Sequence, residues 1–236
     1  MRKVRLVLIF CLMLSIFGGL FLLRGKNEYS YYLAIGDYLS KEQNQNGEEV
    51  QSFANYFGNY LLDNHEVKAV SNTYSLNNMT SKKMLEIIEG ETSNEDDDKL
   101  AKLIKKSKYI TISLGINDIL NQVKYDSLED KLVYDKDLIK NKIEICKYNY
   151  YKVVEEIKDI NDNAKVILVG YYDIYGDSEI VSALNESIKD VAIDTGAVYI
   201  DNSALKDNYL YKENKLYLTS LGHEEISRKI IEAIKR

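Results

Sequence analysis

The sequence predicts a three-layer α/β/α domain on a parallel sheet, preceded by one transmembrane helix. Three observations carry this expectation. Short aromatic and β-branched runs at residues 31–35, 66–71, 109–114, 166–169 and 198–200 read as strands. Between them, apolar residues recur at steps of three and four, the spacing of one helical face. Strands alternating with helices indicate parallel strands covered on both sides. Ahead of them all, residues 6–23 form an uncharged apolar run of 18 residues, about 27 Å as a helix and long enough to cross a bilayer.

Arg2, Lys3 and Arg5 precede the apolar run, so the positive-inside rule places the N-terminus in the cytoplasm and the rest of the chain outside. Leu22-Leu23-Arg24 stands where a signal peptidase would need small residues, so the run is read as an uncleaved anchor. Cys11 lies within the run behind Phe10 and is not read as a lipidation site. Residues 1–26 are therefore assigned to the cytoplasmic tip, anchor and linker, and 27–236 to one folded domain at the cell membrane.

Composition narrows the function. The first 26 residues hold five of the 31 Lys+Arg and no acid, leaving 26 Lys+Arg against 37 Asp+Glu, a net charge of −11. Such a domain repels phosphate backbones and anionic lipid surfaces, which argues against nucleic acid as a partner. The two cysteines, Cys11 and Cys146, are not expected to pair, and Cys146 falls on an apolar helical seam as an inert core residue. No His- or Cys-rich cluster suggests a metal, and no cofactor is expected.

In chain order, Val50, Phe53, Ala54, Phe57 and Leu61 define the first helical face. Residues 72–78 read as a polar loop, after which Thr80 can cap a helix carrying Met84, Leu85, Ile87 and Ile88. The acidic stretch 91–98 lacks the regular ligand offsets and turn glycine of a calcium loop. It reads as acid complementing the N-terminus of the helix of Leu100, Leu103 and Ile104. Residues 121–136 form a polar excursion. The long seam Ile139, Ile143, Cys146, Tyr150, Val153, Ile157, Ile160 is expected to pack on the sheet. A tyrosine-rich loop at 171–177, a helix through about Thr195 and a last helix with Ile226, Ile230, Ile231 and Ile234 complete the pattern.

The chemistry is expected where the first strand ends, at Gly36-Asp37-Tyr38-Leu39-Ser40, since open α/β sheets place their sites at the carboxyl ends of strands. The order of blocks over residues 31–234 resembles the SGNH (GDSL) hydrolases, named for a serine, a glycine, an asparagine and a histidine. The resemblance implies a flavodoxin-like parallel sheet. It also implies an esterase or acylhydrolase site, whose nucleophilic serine follows Gly-Asp and is here replaced by Tyr38. The third block is intact as Gly115-Ile116-Asn117-Asp118, and Asn117 would donate its amide to an oxyanion. At the second block Asn78 stands for the usual glycine; asparagine tolerates a left-handed backbone, so the direction of its amide is expected to survive.

The last block of the family carries an aspartate and a histidine ahead of a glycine. Counted back from Gly222, these positions are Asn214 and Tyr217. A phenol with a pKa near ~10 is a poor base at neutral pH, and a neutral amide cannot stabilise an imidazolium. Serine, histidine and aspartate are all replaced. Ser40 reads as capping or solvating the segment after the turn, and His65 and His223 as surface residues, His223 on the first turn of the last helix. Two functions follow. The first is a membrane-anchored, non-catalytic module binding an envelope glycan, peptide or partner protein through Asp37, Tyr38, Asn78, Asn117 and Tyr217. The second is an esterase or deacetylase on envelope carbohydrate or lipid with a displaced nucleophile such as Ser40.

Overall fold

In a computed structural model, the described residues are 30–41, 50–90, 97–126, 131–174, 178–205, 209–210 and 217–235. The apolar run at 6–23, the acidic residues 91–96 and Asn214 lie outside them. Among the described residues, no helix is long and apolar enough to cross a membrane.

The first strand, β1 (Tyr31–Gly36), is buried from Tyr32 onward, as a strand covered on both faces must be. It pairs in parallel with β2 (Ala69–Ser75) on one side and β3 (Ser107–Ser113) on the other. Beyond β3 lie β6 (Lys165–Val169) and β7 (Val198–Ile200), giving the order β2-β1-β3-β6-β7. This is the flavodoxin-like order. The chain leaves β1 toward β2 and returns across it to β3, so the carboxyl ends of β1 and β3 flank the switch point where such sheets hold their sites.

Helix α1 (Phe53–Asp63) packs against α7 (Ser220–Ile234) on one face of the sheet. The opposite layer holds α2 (Ser81–Ile88), α3 (Asp97–Lys106), α5 (Lys136–Ile160) and α6 (Ser178–Thr195), with the short α4 (Ile116–Leu120) against α5. Caps fix the starts of three helices. Thr80, Asp135 and Thr219 accept from the backbone N–H three residues on, satisfying donors that a helix end leaves without partners. The long seam buries Ile139, Ile143, Cys146, Tyr150, Val153 and Ile157.

Four expectations are corrected. The second strand begins at Ala69 and runs to Ser75, through most of the stretch read as a loop. Residues 65–67 instead finish α1: His65 takes a left-handed turn (φ 56°), and the Glu66 N–H reaches the Leu61 carbonyl, a common way for a helix to end. The pairing skips from Leu33↔Ser71 to Ile35↔Tyr74, so β2 carries an extra residue. On an edge strand, backbone pairing holds residues that hydropathy alone assigns to a loop. The excursion after α4 is more ordered than its polarity suggested, forming an antiparallel pair of β4 (Lys124–Asp126) and β5 (Lys131–Val133). His223 lies on α7 but is buried, not at the surface. Ser40 is also buried, inside a 3₁₀ turn over Tyr38–Ser40.

Candidate functional site

At the end of β1 the backbone passes so close to β3 that no side chain fits. A Cβ on Gly36 would lie 2.2 Å from the Ser113 Oγ and 2.6 Å from its carbonyl oxygen. The Asp37 N–H then bonds to the Ser113 carbonyl at 3.0 Å, and the chain turns into the 3₁₀ segment. Asp37 caps that turn, its Oδ1 accepting from the Leu39 N–H at 3.0 Å.

Asp37 is wholly buried. Besides Leu39, its carboxyl accepts from the Ser113 hydroxyl at 3.4 Å and from the Tyr171 hydroxyl. Ser113 in turn shares a 2.6 Å hydrogen bond with Ser40. Burial pushes the carboxyl up to about 7, against the three hydrogen bonds that favour its charge. Ser113, Tyr171 and Ser40 thus form a polar cluster below the turn. Sequence reading missed the first two, although Tyr171 follows the end of β6 at the same edge of the sheet.

Tyr38 lies in aromatic company. It is 5% exposed, and its ring meets that of Tyr217 edge-on with centroids 5.9 Å apart. Tyr217 is half-buried just ahead of α7. The two residues that follow it hold its position. Leu218 bridges to Leu210, and the Thr219 N–H bonds to the Tyr209 carbonyl at 2.8 Å. The structure therefore brings together two residues 179 positions apart in sequence, both read as site residues.

At the end of β3, Gly115 has φ 122°, a conformation that essentially requires glycine. It turns the chain into α4, where Asn117 donates its amide to the carbonyls of Asn77 (2.9 Å) and Met79 (2.8 Å). Asn78 lies between those two residues, exposed. Its φ is not positive, so asparagine's tolerance of the left-handed region is not what shapes this loop. Asp118, adjacent, accepts from the N–H (2.9 Å) and hydroxyl (2.6 Å) of Ser81, whose hydroxyl also accepts from Asn149 at 3.1 Å. Burial raises the Asp118 carboxyl above its ordinary range. Asn117 and Asp118 together fasten the β2–α2 connection to the end of β3.

His223 is the imidazole on the last helix. Its Nδ1 accepts from the Phe53 N–H at 3.1 Å, which places its proton on Nε2 and caps the start of α1 from α7. Burial pushes it down to about 4. Cys146 is buried and its thiol is raised by burial, the opposite of an activated thiolate. Among the described residues, no group of three or more His, Cys, Asp or Glu is placed to hold a metal.

The sequence profile of the GDSL-like lipase/acylhydrolase family matches residues 34–225, from β1 into α7. The chain belongs to that family. Solved structures agree on the fold of this family member. A lipase, Lip_vut3, from a goat rumen metagenome is 20% identical with a TM-score of 0.62, the match covering 86% of this chain and 97% of the lipase. The psychrotrophic esterase EstA from Pseudoalteromonas sp. is 16% identical, covering 87% and 97%, with a TM-score of 0.57. Phospholipase A1 from Streptomyces albidoflavus NA297 is 14% identical, covering 88% and 100%, with a TM-score of 0.59. No curated protein matches the chain. Identities this low bear on architecture alone, so what this GDSL-like chain does is argued from its own residues.

Proposed function

We propose that this GDSL-like protein is a non-catalytic member of its family, anchored in the cell membrane by residues 6–23. Its domain lies outside the cell and serves the envelope as a binding module for a glycan, peptide or partner protein. The observation that carries this reading is the packing of Tyr38 at 5% exposure edge-on against Tyr217. By resemblance, these phenols stand where the family has its serine and histidine. A phenol is a weak nucleophile and a poor proton acceptor for ester hydrolysis at neutral pH.

Three further features favour it over an esterase with a displaced nucleophile. Ser40 is wholly buried and spends its hydroxyl on Ser113. His223 spends its Nδ1 on the backbone of α1. The Asn117 amide, which would face an oxyanion, is turned to two carbonyls. Of the two rings, the half-buried Tyr217 is the one a sugar or peptide could reach.

The test is an ester-hydrolysis assay on the purified protein with short-chain activated esters, together with labelling by a fluorophosphonate. Turnover at background and no label are expected. Turnover well above background that disappears in Ser40→Ala or His223→Ala would overturn the proposal. The anchor is checked separately: protease added to intact cells should digest the domain, and a soluble mature form starting beyond residue 24 would show cleavage instead.

A further inference from the structure

We propose that the edge of the sheet where the chain enters the domain docks on the anionic phospholipid surface of the membrane that holds the anchor. The proposal rests on the anchor reading, and three observations lead to it.

The first is reach. Seven residue steps separate Leu23, the end of the apolar run, from Ser30, a span of at most roughly 25 Å. Ser30 is fixed in the fold. Its N–H bonds to the Lys106 carbonyl at 2.9 Å, and its own carbonyl accepts from the Lys68 N–H at 2.7 Å. The surface around this entry point is thereby held near the headgroups.

The second is charge. Four chain ends meet at the entry: the end of α1 and the start of β2 (residues 62–70), and the end of α3 and the start of β3 (residues 102–109). They carry Lys68, Lys102, Lys105, Lys106 and Lys108 against Asp63 and Glu66, and Lys108 pairs with Glu66. Lys68, Lys102, Lys105 and Lys106 are all exposed. The domain as a whole is negative, but charges more than about 8 Å apart are largely screened at physiological salt. The local sign therefore decides what this edge attracts, and each lysine near an anionic bilayer adds to the attraction.

The third is a recess of about 310 Å³ that opens beside Ser30, lined by Tyr31, Ser71, Thr73, Lys102 and Lys106. The Ser71 and Thr73 hydroxyls share a hydrogen bond at 3.2 Å, and the Lys106 ammonium lies 5.7 Å from the centre of the Tyr31 ring. Two ammoniums and two hydroxyls beside an aromatic wall suit a phosphodiester headgroup: the ammoniums pair with its charge and the hydroxyls donate to its oxygens. Tyrosine and lysine are also the side chains that collect at a membrane–water boundary. An acidic peptide or glycan would have to be captured from solution, whereas the tether presents the headgroups at high effective concentration. Docking at this edge directs the other end of β1, roughly 17 Å away, and with it Tyr38, away from the bilayer.

The experiment places the full-length chain in nanodiscs of phosphatidylcholine, with or without about 30% phosphatidylglycerol, and reads energy transfer to an acceptor on the headgroups. The donor is attached in a Cys11→Ser background, where Cys146 is buried, to Asn64→Cys at the end of α1 or to Asn121→Cys at the opposite edge. Both positions are exposed. Phosphatidylglycerol should raise transfer from position 64 by about twofold, without raising it from position 121. Lys105→Glu with Lys106→Glu should abolish the rise. Lys83→Glu with Lys140→Glu, the same change of charge on exposed residues toward the opposite edge, should preserve it. No rise at position 64, an equal rise at both positions, or an equal loss in the two double variants would overturn the proposal. Failure of the chain to enter discs of either kind would remove the anchor and this proposal with it, whereas entry without a rise at position 64 removes the docking alone.

Discussion

The ring of Tyr38 meets that of Tyr217 edge-on, with planes inclined by 62°. This contact links the turn after β1 to the segment that enters α7. Edge-on aromatic pairs contribute roughly 0.5–1.5 kcal/mol beyond the area they bury, so the contact holds two loops together at the mouth of the site.

A double-mutant cycle should detect it. Tyr38→Ala removes a buried side chain and is expected to cost about 3–5 kcal/mol by urea unfolding, as for other large-to-small core changes. Tyr217→Ala, half-exposed, should cost less. The two losses should fall short of additive by roughly 0.5–1.5 kcal/mol. Strict additivity would mean that the rings touch without mutual stabilisation.

On the proposed reading, a serine at position 38 should not confer hydrolysis. In Tyr38→Ser the new hydroxyl would face Tyr217, which is a poor proton acceptor at neutral pH, and the members of such a triad act as a unit whose separate losses do not add. Tyr38→Ser is therefore expected at background in the ester assay. Measurable turnover from this variant alone would show that another group supplies the base.

At Gly36, the close approach to β3 makes an equally sharp expectation. Gly36→Ala puts a methyl into both the hydroxyl and the backbone carbonyl of Ser113. Adding Ser113→Ala removes the hydroxyl but leaves the carbonyl at 2.6 Å, so the double variant should remain strongly destabilised. Recovery to wild-type stability in thermal melts would show that the strands part readily.

Much of this was legible in the sequence, for physical reasons that also mark the limit. β1, β3 and β6 are buried on both faces, so their apolar runs identify them; β2 lies at an edge and carries Asn72, Thr73 and Ser75, so hydropathy placed it too early. Gly36-Asp37 and Gly115-Ile116-Asn117-Asp118 stand at strand ends, where punctuation residues are informative. His223 was misread because burial of a polar side chain depends on a partner from elsewhere in the chain, here the Phe53 N–H 170 residues away. The same applies to Ser40, whose partner is Ser113, and to Asp37, whose Tyr171 hydroxyl comes from the end of β6, two strands away. Local spacing cannot report such pairings.

Asn117 is expected to act as a structural tie. Asn117→Ala removes both hydrogen bonds to the Asn77 and Met79 carbonyls and should cost about 1–3 kcal/mol. Asn117→Asp should cost more, because a carboxylate would face two carbonyl oxygens with no proton to donate at pH 7. Faster amide exchange confined to residues 76–80 in Asn117→Ala would localise the effect. Unchanged exchange there would remove the tie from the account.

The buried carboxyl and the buried imidazole should make opposite contributions to stability across mildly acidic pH. Asp37 is raised from 3.8 to about 7 in the folded chain by burial. Between those values the native state keeps a proton that the unfolded state has released. Its contribution is therefore complete below about pH 4 and is lost as pH rises through 7. His223 is lowered from 6.5 to about 4, again by burial. Between those values the unfolded state binds the proton and the native state does not, so its contribution is complete above pH 6.5 and is lost as pH falls toward 4. A tenfold change in proton affinity is worth about 1.4 kcal/mol, so each contribution amounts to roughly 3–4 kcal/mol. Over their common window the two largely cancel. Urea midpoints of the wild type should accordingly vary little between about pH 4.5 and 6.5 on their account. Asp37→Asn leaves His223 unopposed, and its stability should rise with pH across that window. His223→Gln leaves Asp37 unopposed, and its stability should fall. Slopes of the same sign in the two variants would show that one of these groups is not held in the protonation state its burial implies.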